Sequence, residues 1–435
     1  MTLSAEILLS LAIALLVGLV LSRLAKKLHL PAVTAYLVAG ILVGPFVLGL
    51  AGIDGLGFTD EGIKKVGIIS ELALGFIAFS MGNEFRLKQI KEIGAKATIV
   101  GIGQALFTTL IVDLVLIGTH FLMPDKLSIS SALVLGAVAT ATAPAATLMV
   151  VHQYKAKGKV TDMLLPVVAI DDAVGLVVFA ISFGVAKSLS AGPVNIASII
   201  LDPLIEITLS LGLGALLGLL FSWVERFFHS RSKRMAITVA FVMLAVGLSS
   251  MKFEVNGITI ASSSLLCCMM LGTMFCNTCD FSEELMRRAD RWSTPILVLF
   301  FVISGASLDL RIFTDGIAVL IGVIYILSRS LGKYFGAGLS ARATKCDPKI
   351  IKYLGITLLP QAGVALGMAI KARELGPEGA IVSNITLFAV LVYELVGPLF
   401  TKIALTKAGD IIPEGKTSQR IEENKNDIIK QSNVQ

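Results

Sequence analysis

Apolar runs of about twenty residues, separated by short charged or turn-forming clusters, repeat along nearly the whole chain. Cutting at those clusters gives runs at 4–22, 33–51, 63–82, 97–121, 129–151, 161–187, 198–225, 235–251, 258–279, 293–310, 314–341, 350–373 and 379–405. A helix needs about 20 mostly apolar residues to cross a bilayer, so the pattern predicts thirteen spanning helices. Backbone polar groups in lipid must be satisfied within their own segment, and the runs lack the strand-period alternation of a barrel. The expected fold class is an all-α integral membrane bundle over residues 1–407, with a short polar cytoplasmic tail over 408–435. The first run carries Glu6 rather than a basic stretch and is followed by no small-x-small cleavage site, so it is expected to be retained.

The basic residues test this segmentation. Of 37 Lys and Arg, 27 fall in the odd-numbered connections and the tail, and 8 in the even ones. By the positive-inside rule the N-terminus lies outside and the C-terminus in the cytoplasm of a cell (plasma) membrane. The net charge of +6 is thereby a topological bias, and no nucleic-acid partner is expected. Composition agrees: 55% of the chain is apolar and 16% charged, with a mean hydropathy of +0.85, against about 45–50% and about 25% in soluble domains. That excludes a soluble enzyme, and it excludes disorder outside the tail.

Two basic residues fit neither side. Arg329 and Lys333 lie mid-span in the eleventh run, four residues apart and so on one helix face. Among the acids, Asp171 and Asp172 sit in the middle of the sixth run, with Asp113, Glu71, Asp202, Glu206 and Glu394 also inside runs. A charge at membrane depth costs at least a few kcal/mol, so such groups face a cavity and pair with one another. Consecutive helical residues point about 100° apart. One of the two aspartates can therefore face a water-filled cavity while the other meets Lys333 or Arg329 across a helix interface. A buried ion-pair lock without a transport role is the plainer alternative, but a packing lock would not need two acids and two bases.

Two runs read as broken helices. The fifth, VATATAPAATL, places Thr140, Thr142 and Pro144 near its centre, and the twelfth, GITLLPQAGVALG, places Pro360, Gln361 and Gly363 at the equivalent depth. Proline removes a backbone donor and clashes with the preceding turn. The freed carbonyls, the threonine hydroxyls and the Gln361 amide are suitable ligands for a small hard cation, although either break by itself could be an ordinary proline kink. Each is the fifth run of a set of six, with one run over 198–225 between the sets. Six plus one plus six inserts the two sets, about 4–187 and 235–405, upside down relative to each other. Paired breaks in inverted repeats point to a midplane transport site. Asp172-Ala-Val-Gly175 and Glu394-Leu-Val-Gly397 echo each other across the sets.

These residues resemble the monovalent cation:proton antiporter superfamily, in particular bacterial sodium/proton antiporters of the Asp-Asp type. The resemblance covers nearly all of residues 1–407 through LHLPAVTAYLVAGILVGP (28–45), ELALGFIAFSMGNEF (71–85), TATAPAATLMVVHQY (140–154), AIDDAVG (169–175), VLFFVISGASLDL (298–310), SRSLGKYFGA (328–337), LPQAGVALGMA (359–369) and ELVGP (394–398). It implies a fold with two crossed broken helices, a core that moves against a rigid dimerisation domain, and a homodimer in membrane lipid. It implies that Asp172 binds the transported cation and proton, with Asp171 as its neighbour and Lys333 or Arg329 as ion-pair partner. The coordination at the first break then comes from Thr140, Thr142 or main-chain carbonyls, because that break carries no acid. Glu71 and Glu394 become supporting residues or line the outward funnel. No cofactor is implied beyond the transported sodium or lithium and protons. The resemblance also implies electrogenic exchange for sodium and pH homeostasis, and the tail lacks the nucleotide-binding domain of ligand-gated potassium efflux relatives.

Three rival readings remain. Potassium/proton exchange on the same scaffold differs only in ion size. An intramembrane aspartyl protease would place single aspartates on two helices, and a channel would be plugged by a titratable site. Gly214 and Gly218 could serve a dimer interface or internal packing, and Cys276-Asn-Thr-Cys279 reads as small apolar residues at a helix end.

Overall fold

The computed structural model describes residues 3–27, 32–51, 57–143, 147, 150–151, 154–190, 196–251, 253–255, 258–260, 262–308, 311 and 316–411. Among them are fifteen α-helices: α1 (Leu3–Lys27), α2 (Ala32–Val43), α3 (Asp60–Lys65), α4 (Gly67–Gly82), α5 (Leu87–Leu122), α6 (Ile129–Val138), α7 (Lys159–Ser190), α8 (Ile196–Glu225), α9 (Arg231–Ser249), α10 (Ser264–Thr278), α11 (Ser282–Ala306), α12 (Gly316–Ala343), α13 (Pro348–Thr357), α14 (Gly363–Ala372) and α15 (Pro377–Ala408). Seven are long and apolar enough to cross a bilayer, and shorter apolar helices lie between them. Many large apolar side chains stand exposed on their outer faces, Leu16, Leu19, Leu106, Leu114, Leu216 and Leu327 among them. This is the surface expected where the solvent is lipid.

The apolar pattern misjudged several boundaries. The run at 258–279 is shorter as a helix, because 258–260 pairs instead with 253–255 as strands β1 (Phe253–Val255) and β2 (Ile258–Ile260) in antiparallel register. An Asn-Gly pair between β-branched segments is a hairpin signal, and it was hidden in an apolar stretch. The described residues are therefore all-α apart from this strand pair. Helix α11 begins eleven residues before its predicted span, since its first turns carry Arg287, Arg288 and Arg291. The run at 33–51 ends as an α-helix at Val43, and 48–51 form a separate 3-10 turn.

Helix α5 lies along α12, with α6 and α7 packed on α5 and α13 on α12. Helix α2 packs on α11, and α4 on α10. Gly214 and Gly218 serve internal packing: a Cβ on either would run into the α10 backbone or Met274. At the start of α7, Lys159 Nζ donates to Asp347 Oδ2 at 2.6 Å, and Asp347 also caps α13 by accepting the Lys349 N–H at 2.9 Å. The hydrogen bond from Lys159 holds the Asp347 carboxyl below the ordinary carboxylate value. The contribution of this pair is full at neutral pH. It is lost as pH falls through the lowered Asp347 value. Both groups are solvated, so the effect is small and salt-sensitive. Lys159→Met is expected to leave the neutral-pH melting temperature nearly unchanged at high salt, as a thermal melt in detergent would read.

Candidate functional site

The site is built where two helices stop short inside the bundle. Helix α6 ends at Val138, and 141–143 run on as non-helical chain. Helix α13 ends at Thr357, and the helical path resumes only at Gly363. The two non-helical stretches cross and are tied by the Ala143 N–H donating to the Pro360 carbonyl at 2.8 Å. Neighbouring helices approach closely at the echoed glycines. A Cβ on Gly175 of α7 would strike the Thr140 hydroxyl, and one on Gly397 of α15 would lie 2.9 Å from Pro360 Cγ.

A helix end leaves its last carbonyls without intrahelical donors. Here side chains supply them in sequence. Gln361 Nε2 donates to the Val138 carbonyl at 2.9 Å. Arg329 Nε donates to the Ala139 carbonyl at 3.0 Å, and a terminal guanidinium nitrogen to the Ala141 carbonyl at 2.6 Å. Lys333 Nζ donates to the Thr140 carbonyl. The other guanidinium nitrogen reaches the Leu359 carbonyl at 2.7 Å, so Arg329 bridges both breaks. Two cations thus sit at the negative end of the α6 dipole, where positive charge is favoured.

This placement separates two residues that the sequence treats as equivalent. Lys333 is the ion-pair partner, with Nζ 2.6 Å from Asp171 Oδ2 and both side chains fully buried. Arg329 is not positioned as its substitute. Its guanidinium is spent on three main-chain carbonyls and lies 4.5 Å from the Tyr393 ring centroid. The freed carbonyls expected to face a cation are likewise taken by Arg329, Lys333 and Gln361. Spacing along α12 puts both bases on one face but does not say which reaches which acceptor. Removing Arg329 leaves buried carbonyls unpaired, at about 1–3 kcal/mol each. Arg329→Ala is therefore expected to lower the thermal stability of the detergent-solubilised protein strongly. Arg329→Lys should not restore it, since an ammonium lacks the planar fork.

The two aspartates occupy different surroundings. Asp171, 0% exposed, receives Lys333, the Gln104 amide nitrogen on Oδ1 and the Thr142 hydroxyl on Oδ2. Asp172, 5% exposed, receives the Thr142 main-chain N–H at 3.2 Å. Lys333 also donates to the Thr142 hydroxyl at 3.0 Å. Thr142 therefore touches Asp171, Asp172 and Lys333, whereas the Thr140 hydroxyl is turned back to the Ala137 carbonyl at 2.7 Å.

Of the other predicted residues, Gln361 and Pro360 lie in the crossing, and Gln361 Nε2 is also 3.1 Å from the Tyr325 hydroxyl. Pro144 lies outside the described residues. Glu394 is buried, with one carboxyl oxygen 3.4 Å from the Thr34 hydroxyl of α2. Glu71 is exposed on α4. Gln104 was missed. It is fully buried on α5 and holds Asp171, but a neutral amide leaves no remainder when charges are sorted. Thr108, one turn on, hydrogen-bonds the Gln104 carbonyl at 2.7 Å, so a polar i, i+4 pair inside an apolar run was the available signal. The Cys276 thiol is buried, 3.5 Å from the Gly82 carbonyl.

A multi-pass helical bundle with two crossed chain breaks, an adjacent pair of acids and a buried lysine defines a membrane transport protein. Residues 11–407 match the sodium/hydrogen exchanger transmembrane family, and the chain belongs to that family. It is 24% identical over 416 residues to the Na(+)/H(+) antiporter NhaS4 of Synechocystis, covering 92% of this chain and 96% of that one. It is 25% identical over 406 residues to the putative cation/proton antiporter YbaL of Escherichia coli, covering 87% of this chain and 67% of that one. Among solved structures, it superposes on the sodium proton antiporter MjNhaP1 of Methanocaldococcus jannaschii at pH 8 with a TM-score of 0.71 and 18% identity, covering 92% and 97% of the two chains. An electron-microscopy structure of MjNhaP1 gives 0.69 and 19%, covering 95% and 100%. The chain is a multi-pass membrane cation/proton antiporter.

Proposed function

We propose that this antiporter exchanges sodium or lithium for protons across the plasma membrane by alternating access, moving net charge, with Asp172 as the group that both cargoes share. The observation that carries the reading is the unequal treatment of the two acids. Asp171 is pinned by Lys333, Gln104 and Thr142, while its neighbour meets the crossing through Thr142. A cation needs an ionised carboxylate and a proton removes that charge, so the two compete for one place. Movement allowed only when the place is neutralised gives exchange without a separate coupling device.

The inverted organisation belongs to the same reading, with repeats over about 4–187 and 235–405, a linker over 198–225 and a tail from 408. Helix α5 packs on α6 as α12 packs on α13, and α2 packs on α11 as α4 packs on α10. This exchange of partners is what two related halves would produce. A homodimer in membrane lipid, with the C-terminus cytoplasmic, completes the reading. If two protons move per sodium, one net charge crosses, and the membrane potential contributes about 2.3 kcal/mol per 100 mV.

Potassium/proton exchange on the same site is the second reading, since the Asp172 surroundings offer oxygen ligands to either ion. Proton flux in proteoliposomes on addition of sodium, lithium or potassium, with and without an imposed potential, decides between them. Sodium- and lithium-driven flux that responds to the potential is expected. Flux with potassium alone would overturn the selectivity, and flux indifferent to potential would overturn the net charge movement.

A further inference from the structure

The chain leaves α15 by turning back onto the start of the helix that carries the two aspartates. Helix α15 closes at Gly409, which is left-handed at φ 83° and ψ 12°. Asp410 follows, 6% exposed, with its carboxylate aimed at the first turn of α7. Its Oδ2 accepts the Thr161 N–H at 2.8 Å and the Thr161 hydroxyl at 3.0 Å, and its main-chain carbonyl accepts the Lys157 N–H at 2.9 Å. Gly158, at φ 155°, lies against the carboxylate, and a Cβ there would overlap it.

The first amides of a helix have no partner within it, and a neighbouring Ser, Thr, Asp or Asn usually supplies one. Here the acceptor comes from 249 residues further along the chain. A carboxylate is also the favoured charge at a helix N-terminus. External support matters at this helix because Pro166 lies inside it. The missing Pro166 N–H leaves the Asp162 carbonyl without its ladder donor, so the first turn is held less firmly by the rest of α7.

Packing connects this cap to the site. Val160, Leu164, Val167 and Val168 of α7 share one buried cluster with Leu405 and Ile411 beside the cap, and with Leu358 of the second break. The Leu358 carbonyl lies 3.4 Å from the Thr142 hydroxyl, which touches Asp171. We infer that Asp410 is a positioning residue of the transport site: by capping α7 from the far end of the chain, it sets where Asp171 and Asp172 stand against the crossed breaks. The inference rests on the proposed role of Asp172.

The test compares Asp410→Ala and Asp410→Asn in the full-length protein. Without the cap, α7 spends only part of its time in the binding-competent position, and apparent affinity falls by that fraction. Asp410→Ala is expected to raise the apparent KM for sodium in proteoliposome flux by roughly three- to tenfold, the scale of a lost helix cap. Saturating sodium restores the maximal rate. Asp410→Asn keeps an acceptor oxygen and should stay close to wild type. An unchanged KM in Asp410→Ala, a loss confined to maximal rate, or an Asn variant as impaired as the Ala variant would each overturn the inference. Hydrogen exchange of the first turn of α7 reads the cap without any transported ion. It should accelerate in Asp410→Ala and not in Asp410→Asn, and unchanged exchange also overturns the inference. A wild-type protein that moves no protons with sodium overturns the sodium reading alone.

Discussion

Asp172→Asn is expected to abolish sodium-dependent proton movement in everted vesicles, leaving a signal no larger than that of vesicles without the protein. The variant is nearly isosteric, and its amide oxygen can still accept the Thr142 N–H that Asp172 receives at 3.2 Å. The local fold should therefore persist, and protein yield and melting temperature should stay close to wild type. What disappears is the ability to exchange a proton for a cation on one atom, since an amide neither ionises nor gives up a proton in this range. Asp171 is not placed to take over, because Lys333, Gln104 and Thr142 already converge on it. Normal sodium-dependent proton movement in Asp172→Asn would refute the assignment.

Lys333→Ala should act on the other half of the machinery. Removing one partner of a buried ion pair typically destabilises by about 3–5 kcal/mol, because the remaining charge is left without its counterion. In this variant Asp171 keeps only the neutral donors Gln104 and Thr142, and the Thr140 carbonyl loses its donor. A marked drop in thermal stability is expected. In the surviving protein, the pH dependence of exchange and its response to an imposed potential should change more than the apparent affinity for sodium, because Lys333 touches Asp171 and Thr142. Flux measured at several pH values and potentials would test this. Loss of sodium affinity with an unchanged pH profile and potential response would place Lys333 in cation binding instead.

The parts of this site that were legible in the sequence are those where hydrophobicity makes an exception conspicuous. A charge inside an apolar run has few physical excuses, which is why Asp171, Asp172, Lys333, Arg329 and Glu394 all stood out before any contact was known, and why all five are buried. Proline marked the second break, where Pro360 accepts from Ala143. The same logic failed for Gln104, a neutral group that sorting by charge passes over. The strand pair of 253–255 and 258–260 was missed for another reason: a short β-branched segment and a helical segment are equally apolar, and only pairing distinguishes them.

By itself, the sequence determined that the chain lives in a membrane, that its bundle is helical, and which few charged residues had to be brought together. The cost of bare charge and unpaired backbone in lipid is set residue by residue, so composition and spacing carry that information. The tertiary structure alone decided how the partners were divided. Arg329 and Lys333 are four residues apart on one face of α12 and chemically alike. Arg329 binds main-chain carbonyls of both helix breaks, whereas Lys333 binds Asp171 together with the Thr140 carbonyl and the Thr142 hydroxyl of the first break. The cap on α7 is of the same kind. A hydrogen bond between Thr161 and Asp410 depends on how α15 returns to the sixth apolar run, and no local pattern encodes a contact across that distance.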